Sequence, residues 1–159
     1  MRMLLLPLLG AVTACGPRPG MATARWVGSE IDITVSGDAR GGWCPEARAV
    51  LLDVLADDRV AGVAWHYDSL VPGTYPVVPP TPSDSAAAGG AVAARYVYLD
   101  EVRGYQGLSG TLKVTAVDSA AISVTVEATL QRVGDTDTVR FTALYHRIPL
   151  TRDATLCTP

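Results

Sequence analysis

Ser109 and the two histidines, His66 and His146, are the side chains in this sequence with the most obvious catalytic chemistry. Ser109 lies in Gly107-Leu108-Ser109-Gly110. Gly107 stands two residues before the serine, but the residue two positions after it is Thr111, so the paired glycines of a hydrolase nucleophile elbow are absent. We therefore interpret this segment as a turn before a strand. His66 and His146 each fall in a predicted strand, and no short ligand spacing joins them to a carboxylate in a zinc site.

Asp135-Thr136-Asp137 places two carboxylates at alternate positions, as calcium loops do. It lacks the further acids and the distal glutamate of an EF-hand, so an exposed hairpin turn explains it better. No glycine-rich phosphate loop follows a strand and opens a helix. The sequence therefore predicts no catalytic residue, no metal ligand and no cofactor.

The N-terminus carries a more specific pattern. Met1-Arg2 is a positive start, residues 3–12 are apolar, and Ala14 stands directly before Cys15. A charged start, an apolar run and a small cleavage-site residue are typical of a secretory signal. The tetrapeptide Val12-Thr13-Ala14-Cys15 resembles the lipobox of bacterial lipoproteins. That resemblance implies cleavage after Ala14 and fatty acylation of Cys15, which would then begin the mature chain.

Two other interpretations of the N-terminus remain. An ordinary secretory signal could be followed by a cysteine by chance. A transmembrane helix needs about 20 apolar residues, and this run reaches the Pro/Gly-rich residues 16–20 much sooner. By the lipoprotein resemblance, Gly16 is not the aspartate that retains lipoproteins in the inner membrane. The resemblance thus implies the periplasmic face of the outer membrane, or the surface of a Gram-positive cell.

Cleavage after Ala14 leaves 145 residues, enough for one domain, with a net charge of −4 instead of the −3 of the whole chain. Weak acidity disfavours nucleic acid, which needs a clustered basic face. Cys44 and Cys157 remain as a possible disulfide in an oxidising compartment. The alternative is a pair of unpaired, buried thiols.

Aromatic residues on two β segments are the remaining candidates for a binding site. Trp65, Tyr67, Tyr96 and Tyr98 would line a groove or a barrel mouth if their strands were neighbours. The simpler interpretation is that they form the core, because the chain has one phenylalanine.

Alternating apolar and polar residues predict most of the secondary structure. They predict strands at 30–36, 60–67, 91–100, 111–116, 122–130 and 139–148, with Pro149 ending the last one. Residues 46–56 fit a helix or a strand, and we favour a strand because 57–59 then form a hairpin turn. Pro76 predicts an edge strand at 75–78. Residues 37–42, 79–90 and 104–110 are predicted connections.

About eight short strands predict an all-β domain, either an antiparallel sandwich or a partly open barrel. The expected organisation is a signal peptide at 1–14, a lipidated cysteine and flexible tether at 15–28, and one β domain at 29–159. The glycine-punctuated last strands look like those of bacterial lipoproteins from high-GC organisms, a resemblance that assigns no activity.

These observations predict a lipid-anchored, non-catalytic protein of the cell envelope. Its expected partners are the membrane, through the lipid, and an envelope protein. The alternative is a barrel that carries a small molecule or lipid in an apolar cavity. A hydrolase or metalloenzyme is the third and least favoured class.

Overall fold

The computed structural model describes residues 18–79 and 89–157. The predicted signal peptide, Ala14, Cys15 and most of the predicted loop at 79–90 lie outside them. The described residues form nine strands, which confirms the all-β prediction. The strands are β1 (Met21–Val27), β2 (Asp32–Cys44), β3 (Ala49–Ala56), β4 (Arg59–His66), β5 (Gly73–Val77), β6 (Gly90–Tyr98), β7 (Glu101–Val117), β8 (Ala121–Arg132) and β9 (Thr138–Arg152). Among these residues, no helix has the length and apolar character needed to cross a membrane.

The strands form one sheet that closes into a barrel in the order β1-β2-β3-β4-β6-β5-β7-β8-β9. Strands that follow each other along the chain mostly pair as antiparallel hairpins. The turns at 28–31, 57–58, 99–100 and 133–137 therefore gather at one end, which we call the turn end. The chain enters and leaves at the opposite end, the terminal end, where Gly20 N donates a hydrogen bond to His146 O.

The predicted tether at residues 15–28 is wrong in its second half, which forms strand β1. Residues 15–28 were expected to be flexible up to the start of the domain, but Met21–Val27 is a barrel strand between β2 and β9. Ala22, Ala24 and Trp26 alternate with exposed residues and are buried. The preceding Pro/Gly-rich residues and the small side chains concealed this alternation, and burial of Trp26 against the opposite wall stabilises the strand.

The predicted loop at residues 37–42 is wrong, because strand β2 continues through it to Cys44. Its second half pairs with β3 on one side and with Leu150–Arg152 of β9, in parallel, on the other. This parallel pairing closes the barrel at the terminal end, and we call it the closing seam. A Cβ on Gly41 would lie 2.5 Å from Pro149 O. The glycine that suggested a loop is therefore needed for close approach of two strands.

Strand β9 continues past Pro149, which was predicted to end it. Strand β9 pairs with β1 up to His146 and with β2 from Leu150. Pro149 therefore lies where β9 changes from one partner to the other, and its missing N–H costs no hydrogen bond to either strand. A register shift opposite, in β8, and a positive φ of 49° at Arg147 accompany this change. As a result, the buried residues of β9 lie at odd positions up to Tyr145, and the next buried residue is Ile148, at an even position.

Strand β7 includes the predicted connection at 104–110. Its first part pairs with β6 and its second part with β5. The register with β8 shifts between Gly107 and Ser109. Gly110 has φ +140°, and a Cβ there would collide with Glu127 O. These glycines bend a single long strand from one neighbour to the next.

The remaining strand predictions agree with the structure. The ambiguous segment at 46–56 contributes β3, which turns at Asp57-Asp58 into β4. Strand β5 contains Pro76 and, apart from the single pair Val77–Gly90, is bonded only to β7, as an edge strand should be. In β8 the even positions 122–130 are buried. The apolar residues of the alternation predicted from the sequence therefore face the barrel interior.

The predicted disulfide joins Cys44, the last residue of β2, to Cys157 in the tail after β9, with the two Cα atoms 5.3 Å apart. It covalently secures the closing seam, since β2 and β9 are the strands that pair there. Glu46, just after β2, also forms an ion pair with Arg152, the last residue of β9. The terminal end is thus held by a covalent bond, a backbone ladder and a side-chain ion pair.

Removal of this cross-link should destabilise the fold strongly. The cysteines are 113 residues apart, and chain-entropy models assign about 4–5 kcal/mol to closing so long a loop. We expect a Cys44→Ser/Cys157→Ser double variant to lose up to that much free energy of unfolding, measured with urea. Reductant should produce the same loss in the wild-type protein and none in the double variant. Two thiols that react in the native protein without reductant would contradict the bridge.

Candidate functional site

The structure does not bring together the four aromatic residues of the predicted ligand site. Trp65, Tyr67 and Tyr96 are buried and belong to the core, whereas Tyr98 is 49 % exposed. Their strands, β4 and β6, are neighbours, so the condition for a groove is met. However, Trp65 lies near the terminal end and Tyr96 near the turn end, so the side chains contribute to separate parts of the interior.

Tyr96 belongs to an aromatic cluster that the sequence analysis missed. Its ring is 6.5 Å from that of Trp26 and 6.3 Å from that of Tyr105, and Trp26 stacks on Phe141 at 6.3 Å. Trp26 had been assigned to the tether and Tyr105 to a connection. Alternation within 21–27 was the signal that would have placed Trp26 in a strand.

Large side chains pack in the barrel interior. Those less than 2 % exposed include Trp26, Trp65, Tyr145, Phe141, Leu52, Leu112, Ile122, Leu130 and Ile148. Tyr145 on β9 donates a hydrogen bond to Ala61 O on β4, 3.2 Å away across the interior. The indole nitrogens of Trp26 and Trp65 are buried and have no hydrogen-bond partner among the described residues.

The residues considered for catalysis and metal binding remain apart. Ser109 lies on β7 and Asp135 in the β8–β9 turn, while His66 and His146 lie on β4 and β9, which are not adjacent. In the described ranges, one group of potential metal ligands comes together: Cys44, Glu46 and Cys157, with ligand atoms within 4.8 Å of one another. Because the two sulfurs are bonded to each other, they are not the thiolates that bind metal.

Exposed apolar residues concentrate at the turn end. Leu99 is 83 % exposed and Val102 is 62 % exposed. The other members of this surface are Leu55, Val97, Tyr98 and Val133. Arg103 lies over the Tyr98 ring, 4.5 Å from its centroid. Together these side chains form an apolar surface around the tips of the hairpins.

A groove of about 180 Å³ lies within this surface, between the β3–β4 and β6–β7 hairpins. Its residues are Leu55, Asp57, Asp58, Val60, Arg95, Tyr96, Val97 and Val102. The hairpins meet where Val97 N donates a hydrogen bond to Asp58 O at 3.3 Å. We call this feature the hairpin groove.

The turn end is also acidic. Its four turns contain no lysine or arginine and six acids, namely Glu30, Asp57, Asp58, Asp100, Asp135 and Asp137. Asp58 pairs with Arg59 and Asp135 with Arg132. The other four acids form no ion pair with a described residue. Each turn therefore presents one carboxylate without a cation.

A second depression, of about 340 Å³, lies on the outer wall over β1, β8 and β9. Its polar lining includes Thr23, Arg25, Thr125, Glu127 and Thr142. Arg25 is already held by Asp32, with Nε 2.7 Å from Oδ1. This depression is open to solvent and lies away from the hairpin groove.

Comparison of the chain with protein-family models, curated proteins and solved structures finds no match.

Burial of tyrosines should make the fold sensitive to alkali. Burial raises the pKa of Tyr105 to about 12 and also raises the pKa of Tyr145. Above about pH 10 the unfolded chain loses these protons while the folded chain keeps them, so stability is fully present below pH 10 and falls as pH rises. The expected loss is about 1.4 kcal/mol per pH unit for each tyrosine.

Urea unfolding at several pH values between 8 and 12 measures this slope. Tyr145→Phe should lower stability at neutral pH by about 1 kcal/mol, because its hydrogen bond is lost. The same variant should also have a shallower decline above pH 10 than the wild-type protein. An equal slope in both proteins would contradict the role of Tyr145 burial.

Proposed function

We propose that this chain is a lipid-anchored, non-catalytic interaction module of the bacterial cell envelope. The lipobox-like residues Val12-Thr13-Ala14-Cys15 provide the anchor, and the folded barrel provides the interaction surface. The observation that carries the second part is the packing of large side chains in the barrel interior, which leaves the outside of the barrel for recognition. The turn end is the most unusual part of that surface, because apolar side chains are exposed there.

The position of the anchor gives the barrel an orientation. Strand β1 begins at Met21, six residues after Cys15. Six extended residues span at most about 20 Å, so an acylated Cys15 keeps the terminal end close to the bilayer. The turn end, at the other end of the strands, then points away from the membrane.

The proposed compartment agrees with the cross-link between Cys44 and Cys157, because disulfides persist in oxidising compartments outside the cytosol. Two or more acyl chains hold a protein stably on a membrane, where one chain does not. Gly16 in place of aspartate supports the periplasmic face of the outer membrane, or the cell surface where an outer membrane is lacking.

Replacement of the anchoring sulfur tests the proposal. Cys15→Ala should leave the precursor unprocessed or release the protein from the membrane fraction. Mass spectrometry of the wild-type protein should give a chain that begins at Cys15 with acyl mass added. Gly16→Ala is the matched control and should remain acylated in the membrane. An unmodified mature protein that begins at another residue would refute the anchor.

A small-molecule carrier is the second candidate. The unpartnered indole N–H groups of Trp26 and Trp65 favour it, because a polar group of a bound molecule would satisfy buried donors. Native mass spectrometry of protein extracted from membranes should then show an added, non-covalent mass that organic solvent removes. A mass equal to that of the acylated chain alone would exclude this candidate.

A further inference from the structure

We propose that the turn end docks a partner polypeptide whose contact segment combines apolar side chains with lysine or arginine. The hairpin groove would receive one anchoring side chain of that segment. This inference rests on the proposed function as an interaction module and adds the location of the surface and the chemistry of its partner.

The lining of the hairpin groove matches a long basic side chain. Leu55 pairs with Val60 and Val97 pairs with Val102 across neighbouring strands, which makes the walls apolar. Asp57 and Asp58 stand at the turn. Lysine and arginine place their aliphatic stems on apolar surface and keep the charged group at the edge. The stem would contact the apolar walls, and the charged group would reach the carboxylate of Asp57.

The size of the groove indicates a side chain and not a free ligand. Its volume is about 180 Å³, whereas small-molecule sites usually enclose about 300–1,000 Å³. Protein interfaces typically depend on a few anchor residues that fill pockets of this kind. The surrounding exposed residues, above all Leu99 and Val102, would form the rest of the contact.

The backbone at the tip of the β6–β7 hairpin supports the same conclusion. Leu99 and Asp100 have φ values of 48° and 64°, the conformation of a two-residue turn that favours asparagine and glycine. A bulky leucine at positive φ is strained, and this one is 83 % exposed. The position therefore carries strain and apolar exposure together, and strain of this kind concentrates at functional sites.

Charge determines which partner fits. The carboxylates of Glu30, Asp57, Asp100 and Asp137 are without cations among the described residues, and one projects from each turn. Arg95 lines the groove and Arg59 pairs with Asp58, so the negative charge that a partner would meet comes from these four carboxylates. A second copy of this chain docked through the same end would bring like charges together, which opposes association. A basic segment would instead be attracted.

Binding of defined peptides to the full mature lipoprotein tests this inference. The probe is a fluorescein-labelled octapeptide that alternates leucine and lysine, and fluorescence anisotropy is measured with zwitterionic nanodiscs. The controls are octapeptides that alternate serine with lysine or leucine with glutamate, together with empty nanodiscs. We expect the leucine–lysine peptide to bind the protein at least about tenfold more tightly than either control peptide.

Two variants that suit the native backbone locate the contact. Leu99→Asn and Asp57→Asn both place at positive φ a residue that tolerates it, so their unfolding midpoints should be unchanged or higher. Each should weaken binding about fivefold, as expected for an interface anchor. Leu144→Thr and Glu127→Gln on the outer wall are the matched controls and should stay within about twofold of the wild-type affinity.

Equal binding of the leucine–lysine and serine–lysine peptides, or unchanged affinity in both test variants, would overturn the docking surface. Binding to the protein no stronger than to empty nanodiscs would also overturn it. These outcomes leave the anchor intact, since acylation of Cys15 is measured independently by mass. Conversely, loss of the anchor would refute the proposed function without changing peptide binding in solution.

Discussion

Closure of the sheet at the terminal end is the constraint on which the rest of this structure depends. Strand β1 is too short to separate β2 from β9 along their whole length, so the end of β9 pairs with β2 in parallel. The approach requires the small Gly41, and the bond between Cys44 and Cys157 holds it. Because the sheet closes there, its inward side chains share one core and few strand edges remain open.

The closed sheet also separates the two ends of the barrel. At the terminal end, the disulfide and the closing seam hold β2 and β9 together where the chain enters the barrel. At the turn end, four short hairpin turns carry acids and apolar side chains that the barrel itself does not use. The function that we propose uses this separation, with the anchor at one end and a recognition surface at the other, built from turns that tolerate sequence change without disturbing the ladder.

The two-residue repeat of the strands explains both the correct and the incorrect strand predictions. Alternation identified β8 and most of β9 because antiparallel strands with one wet face repeat every two residues. The same rule also identified β3 once a hairpin partner was considered. It failed in β2, β7 and at Pro149, where glycine or proline was interpreted as an end. In each case another strand lies close by or changes partner, and the backbone requirement comes from that neighbour.

The sequence by itself determined the all-β class and the inward face of the regular strands, and it left Cys44 and Cys157 as a possible disulfide, because these depend on local spacing and on residue type. The tertiary structure alone decided that the sheet closes, that Trp26 belongs to the core and that Trp65 and Tyr96 lie apart. It alone placed Leu55 and Val102 in the lining of one groove. These relations join residues that are distant in the chain, and only the register of nine paired strands determines which of them meet.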